Sequence, residues 1–297
     1  MFYGKVFLTV ILAIVTVVRV ETTVLAADFG DGSPDVLESR WDLRFTPYAW
    51  LPWMTGDMTI KGQKLNVDTN IFEILGEADT IIPWMSYMEA RNGKFAAYLD
   101  TIYANITLSG GAVKQANPIR GVSLTVGAQA GVEYEYAIIE AGAAYEIAHT
   151  PIFGAMTAID VYAGGRYWYQ DLAVNLAVTG TVTLPGGFTR TGNLVRSGGV
   201  SADWIDPLVG LRLRQAMGPG QEIIFKGDIG GFGAGSDFSY NLAGVYTWEF
   251  SDRWGIVWAG AAGYRALYAD YSEGSGTNKF SYDLLQHGPI IGLSMRF

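Results

Sequence analysis

The stretch "VSLTVGAQAGVEYEY" is apolar at Val122, Leu124, Val126, Ala128, Ala130, Val132 and Tyr134, against Ser123, Thr125, Gln129, Glu133 and Glu135. Alternation with a period of two sorts side chains onto the two faces of a strand, and no helix can use it. It opens "WDLRFTPYAW", where Trp41, Leu43 and Phe45 interleave with Asp42, Arg44 and Thr46. It also closes the chain, where Ile291, Leu293, Met295 and Phe297 interleave with Gly292, Ser294 and Arg296. Chain ends are usually polar and frayed, so a large aromatic held in strand phase at the last residue needs an apolar environment.

Composition points to that environment. The chain is 49% hydrophobic but only 16% charged, where soluble domains average about 25% charged. Apolar faces this complete, repeated from Trp41 to Phe297, predict an all-β, antiparallel, up-and-down transmembrane barrel with lipid outside and polar side chains in the lumen. Closure matters because an open sheet would leave unpaired backbone in hydrocarbon. Cysteine is absent, which excludes a disulfide scaffold and Cys-ligated metal.

Lys5 heads an apolar run from Val6 to Val18, followed by Val24 and Ala26 at the −3 and −1 positions of a small-residue cleavage site. Thirteen residues are too few for a helical span, which needs about 20. The segment reads as a secretory signal over residues 1–26, followed by a periplasmic linker over 27–40 and a barrel over 41–297. Its removal makes the formal charge of −9 one unit more negative. An acidic exported chain is a poor nucleic-acid binder.

Tight turn signals fall at "RNGK" (Arg91 to Lys94), "HTPIFGAM" (His149 to Met156), "AMGPGQ" (Ala216 to Gln221) and "FSDRW" (Phe250 to Trp254), and are expected on the periplasmic side. The Gly-, Ser-, Thr- and Asn-rich stretches 54–80, 108–121, 179–203 and 272–279 read as extracellular loops, with "GGFGAGSD" (Gly230 to Asp237) as a short fifth. Ten strands result. In 122–148 the outward phase changes from even (Val132, Tyr134) to odd (Ile139, Ala141, Tyr145), which requires a bulge near Tyr136 or a further hairpin and twelve strands. In "VDTNIFEILGEAD", Ile71, Phe72, Ile74 and Leu75 at helical spacing predict a short helix capped by Asp68 or Thr69. Trp41, Phe95, Phe250, Trp254 and Phe297 are expected in one aromatic belt, and Trp53, Trp84, Tyr103, Trp168, Trp204, Tyr240 and Tyr268 in the other.

The segments "TPYAWLPWMTGDM", "MEARNGKFAAYLDTIY", "AGGRYWYQDL", "DPLVGLRLR", "GDIGGFGAGSDFSYN" and "YDLLQHGPIIGLSMRF" resemble a family of proteobacterial outer-membrane barrel proteins. The resemblance implies a location and an architecture but no activity. The final Ile291, Leu293, Met295 and Phe297 likewise resemble the C-terminal signal read by the barrel assembly machinery.

A search for chemistry mostly eliminates. Only two histidines exist. His149 reads as a turn residue. His287 is in phase with Phe297 and faces lipid, unless Pro289 marks a bulge that resets the phase. "GGFGAGSD" precedes a strand where a phosphate loop must open a helix, and "DFGDGSPD" lacks the ligand set of a calcium loop. No enzyme activity, cofactor or metal is expected.

Strand phase instead sends charges to the lumen: Arg44, Glu89, Arg91, Asp100, Glu140, Glu146, Asp160, Arg166, Asp206, Arg212, Arg214, Lys226, Asp228, Glu249, Arg265 and Arg296. Charges inside a barrel must be paired or wet. They form either a neutralising plug or a charged constriction for small solutes. The expected partners are outer-membrane lipid, lipopolysaccharide and the assembly machinery, with the chain itself a monomer.

Overall fold

The computed structural model describes residues 41–119, 122–152, 154–183 and 188–297. The expected signal peptide and linker lie outside them. Twelve strands form one antiparallel sheet: β1 (Asp42–Trp50), β2 (Trp53–Ile60), β3 (Gln63–Asn70), β4 (Thr80–Asn92), β5 (Phe95–Ile119), β6 (Val122–Ile152), β7 (Ala155–Thr183), β8 (Thr189–Gly218), β9 (Gln221–Gly230), β10 (Phe238–Arg253), β11 (Ile256–Glu273) and β12 (Phe280–Arg296). Ten of them close a ring, because β12 pairs back onto β1 (Phe45 opposite Met295, Trp50 opposite Ile290) while β1 pairs with β4 on its other side.

The two strands outside the ring come from residues 53–70, not from 122–148. Past Trp50 the chain continues upward as β2, which takes over the edge of β12 from His287 opposite Trp53 to Ser281 opposite Thr59. β3 then returns beside β2. The expected loop 54–80 is thus a hairpin followed by helix α1 (Ile71–Glu77), which connects β3 to β4. The cap is Asn70, whose side chain accepts from the Phe72 and Glu73 amides, rather than Asp68 or Thr69.

No bulge occurs near Tyr136. The ladders of β6 with β5 and β7 run unbroken through it, and the one shift on the β7 side lies at Glu146/Ala148. Even residues face inward throughout this part of β6: Tyr136, Ile138 and Glu140 are buried, and the Tyr134 hydroxyl donates to Gln170 inside. The upper lumen is itself apolar and aromatic, so hydrophobicity there marks the inside, opposite to the rule lower down.

The described residues of the stretches 108–121 and 179–203, expected as loops, are almost all strand. In the described residues they continue β5 to β8 well past the end of β4, paired from Leu108 opposite Val132 to Lys114 opposite Val126, and from Leu176 opposite Arg196 to Thr183 opposite Thr189. β10 likewise runs on to Arg253, and its turn is Trp254-Gly255, both with positive φ.

Outward residues of the ring are apolar and exposed, including Ile205, Val209, Leu211, Leu213, Phe225, Ile229, Leu242, Ile291 and Leu293. Such a continuous apolar band is foreign to a soluble surface and is the lipid-facing wall of a transmembrane barrel. Trp41, Phe95, Phe250, Trp254 and Phe297 are exposed at the short-turn end, with Trp53 and Trp84 exposed toward the other. Trp168 and Trp204 do not join that belt, because they are buried in the lumen.

Candidate functional site: the lumen

Odd positions of β4 and even positions of β5 to β9 lower in the barrel deliver carboxylates and guanidinium groups to the same interior level, since residues opposite one another across a ladder share a face. Near the short-turn end, Asp160 is fully buried and accepts from three arginines: Arg91 at 3.1 Å, Arg212 at 2.8 Å and Arg214 at 3.0 Å. Arg91 also reaches Glu89 at 3.2 Å, Arg214 reaches Glu146 at 2.7 Å, and Arg212 bonds Glu89 and the Tyr87 hydroxyl. Three cations therefore face three carboxylates.

One level higher a second group balances in the same way. Arg166, with no exposed side-chain surface, bridges Glu140 at 2.6 Å and Asp228 at 2.7 Å. Lys226 donates to Glu140 at 2.6 Å and sits 4.7 Å from the Tyr98 ring centre. Arg265 binds Asp100 at 2.9 Å, and Asn241 links Arg265 to Asp228. Tyr48 and Tyr162 donate to Asp100 and Asp228. At the rim, Arg44 meets Glu222 at 3.3 Å and Arg296 meets Glu249 at 2.8 Å.

Asp206 stands apart. Among the described residues it takes no cation, but it accepts from the Trp168 indole at 3.0 Å and from the Ser236 amide and hydroxyl at 2.7 and 2.9 Å. It thereby ties the loop 231–237 down onto the inner wall. Neighbours in register are also not always partners: Arg212 lies opposite Lys226, yet each pairs elsewhere. Glu222 and the tyrosines Tyr48, Tyr87, Tyr98 and Tyr162 belong to the network but carry no sequence signal beyond inward parity.

Glycines on the wall make room for two of those rings. A Cβ on Gly142 would lie 2.8 Å from the Tyr98 hydroxyl, and one on Gly210 would lie 2.5 Å from the Tyr162 ring.

Above the charges the lumen is filled by rings. Trp168 stacks on Trp204 at 5.5 Å between centroids, Trp204 on Tyr271 at 4.1 Å, and Tyr282 tilts against both tryptophans. Trp50, Ile102, Ile138, Leu267 and Leu284 complete the layer. Below it a cavity of about 160 Å³ lies beside Arg44, Tyr48, Asp100, Lys226 and Arg265. A second of about 230 Å³, sharing Arg44, Thr247 and Ser294 in its walls, extends toward Gly220 and Val257 at the short-turn end.

His149 bonds Glu146 at the rim. His287 is on the outer face, because β11 and β12 pair without a shift across Pro289; it stacks on Trp53 and bonds the Tyr264 hydroxyl at 2.6 Å. Ile291, Leu293, Met295 and Phe297 share that outer face, and the Phe297 amide donates to Leu43.

No family model and no curated protein matches the sequence. Among solved structures, the attachment invasion locus protein Ail of Yersinia pestis aligns over 86% of this chain and 98% of its own at 8% identity, with a TM-score of 0.28. The translocator domain of the Neisseria meningitidis autotransporter NalP aligns over 86% and 88% at 11% identity, TM-score 0.30. An anion-selective porin from Comamonas acidovorans aligns over 88% and 100% at 9% identity, TM-score 0.26. Values this low leave the molecule's own geometry as the basis for what it does.

Proposed function

We propose that this chain is a closed, non-enzymatic outer-membrane barrel, exported by a cleaved signal peptide and working as a monomer whose extended strands stand outside the cell. The reading places the short turns in the periplasm and gives the barrel lipid, lipopolysaccharide and the assembly machinery as its partners. One observation carries it: the Trp168, Trp204 and Tyr282 layer fills the lumen between two charge clusters below and the projecting strands above. A solute path would need a wet thread through that layer. Both charge clusters are internally neutral and hydrogen-bonded, the arrangement that makes buried charge tolerable. The roles left to a closed barrel are structural support and display of its outer strands.

The test is a planar-bilayer recording of refolded protein, together with fractionation of cells that express it. Silence in the bilayer and recovery with the outer membrane are expected. Discrete, reproducible conductance steps from the wild type would replace this reading with that of a narrow solute pathway.

A further inference from the structure

The strands that project beyond β4 carry a pattern that a supporting barrel does not need. Residues 108–131 and 172–202 contain Lys114, Arg120, Arg190 and Arg196 and no acidic residue, in a chain of net charge −9. Register assigns the faces. Arg196, Leu176 and Ala130 form one cross-strand row and Leu194, Val178 and Ala128 the next; Arg190, Val182 and Leu124 form another. These rows keep the parity of Trp204, Trp168 and Ile138 further down, so their face continues the inner wall. The opposite face carries Thr179, Thr181, Thr191, Asn193 and Ser197.

The inner face is therefore an apolar strip, with Val174, Leu176 and Leu194 exposed at 39, 38 and 52%. A further cation comes to it from across the mouth. The turn between β2 and β3 sets the Lys61 ammonium 3.1 Å from where a Cβ on Gly198 would stand. Gly198 is the next inward position after Arg196, roughly 7 Å along the strand. Among the described residues neither Lys61 nor Arg196 has a carboxylate partner. Two cations beside an exposed apolar strip, with no carboxylate partner among the described residues, are complementary to one kind of molecule.

We propose that the extracellular mouth binds a single-chain anionic amphiphile of the long-chain carboxylate type. Lys61 and Arg196 take its head group, and Val174, Leu176 and Val178 lie along its chain. Between the cations the β7 side chains of the strip, Val174, Leu176, Val178 and Val182, are all apolar, which suits an acyl chain. Lipopolysaccharide phosphates around the barrel would meet the opposite, hydroxyl-bearing face instead.

The test uses full-length protein in nanodiscs, titrated with the fluorescent C18 fatty acid cis-parinarate. Saturable binding is expected, weakened at least tenfold in the double variant Lys61→Gln/Arg196→Gln and for the methyl ester of the same acid, with inorganic phosphate a poor competitor. Both side chains are exposed, so the variant should keep the unheated gel mobility of a folded barrel. Leu176→Ser supplies an independent arm and should weaken the acid without touching the cations. Equal affinity of wild type and both variants overturns the proposal. So does preference for an acidic amphipathic peptide over the acid, or aggregation of the double variant with unchanged binding, which would make the two cations guards of an open strand edge. Because binding is read at the mouth, a conducting barrel that still binds the acid would refute only the closed-lumen reading.

Discussion

Arg166, between Glu140 and Asp228, and Arg91, among Glu89, Asp160 and Glu146, are both inward arginines, and they are not equivalent. When Arg91 is removed, Asp160 keeps Arg212 and Arg214, and Glu89 keeps Arg212. When Arg166 is removed, Asp228 is left with the neutral Tyr162 and Asn241. Breaking a buried pair so that a charge is stranded costs about 3–5 kcal/mol, so Arg166→Ala should lower stability in denaturant by that order. Arg91→Ala should cost a fraction of it, and equal losses for the two would contradict the partner assignment. At the upper rim on the outer face, Asp270 lies opposite Asp283, with Asp237 near; burial and then those two charges raise its pKa above the usual aspartate value. The folded state thus holds the proton to higher pH than the unfolded state does. Ionised Asp270 costs stability at neutral pH, and the cost fades as pH falls from the folded value to the unfolded one near ~3.9. Asp270→Asn should be more stable than wild type at pH 7, by less than about 1 kcal/mol because the group is partly exposed. The difference should vanish below pH ~4, and a constant offset across the titration would assign the gain to something other than charge.

At the scale of elements, what could be read from sequence depended on whether a local pattern had one physical meaning. Alternation with a lipid-facing row has one meaning, and the lower halves of β1 and β12 follow it to the last residue. Loop composition does not: Gly-, Thr- and Asn-rich 179–203 reads as a loop, yet each residue from Leu176 to Thr183 has a ladder partner on β8, and pairing overrides weak strand preference. The β2–β3 hairpin was hidden for a related reason. Its register on β12 depends on Gly56, whose φ of 140° and closeness to the Asp283 carbonyl (2.1 Å from a built Cβ) only glycine accepts. Parity sent charges to the lumen, but nothing in the chain distinguishes an inward tyrosine that serves a carboxylate from an outward one in a belt. The last strand offers a test of its own. Phe297 is half-exposed and its removal opens no cavity, so deletion should change the stability of refolded barrel by no more than the few kcal/mol that one side chain's burial in lipid is worth. If the terminal aromatic is an assembly signal, barrel yield in cells should fall far more steeply. Equal cellular yields would remove that role.

For the whole molecule the question is which layer closes it. The charge clusters are not the seal by themselves, because cavities of about 160 and 230 Å³ already run beside them from the short-turn end up to Arg265. Ions entering there would meet Trp50, the Trp168–Trp204 stack and Tyr282, a layer of packed rings whose neighbouring carboxylate, Asp206, is already held by the Trp168 indole and Ser236. An ion in such a layer loses its hydration with nothing to replace it. Truncating the rings and truncating the charges should therefore act in opposite senses. Trp168→Ala/Trp204→Ala removes two large side chains from one level, leaves Asp206 with Ser236 as donor, and should give conductance steps where the wild type is silent. Arg44→Ala, at the wall shared by both cavities, widens the wet part and should leave the bilayer silent. A silent tryptophan double variant that is shown to be folded, with a conducting Arg44→Ala, would move the seal from the aromatic layer to the salt clusters beneath it.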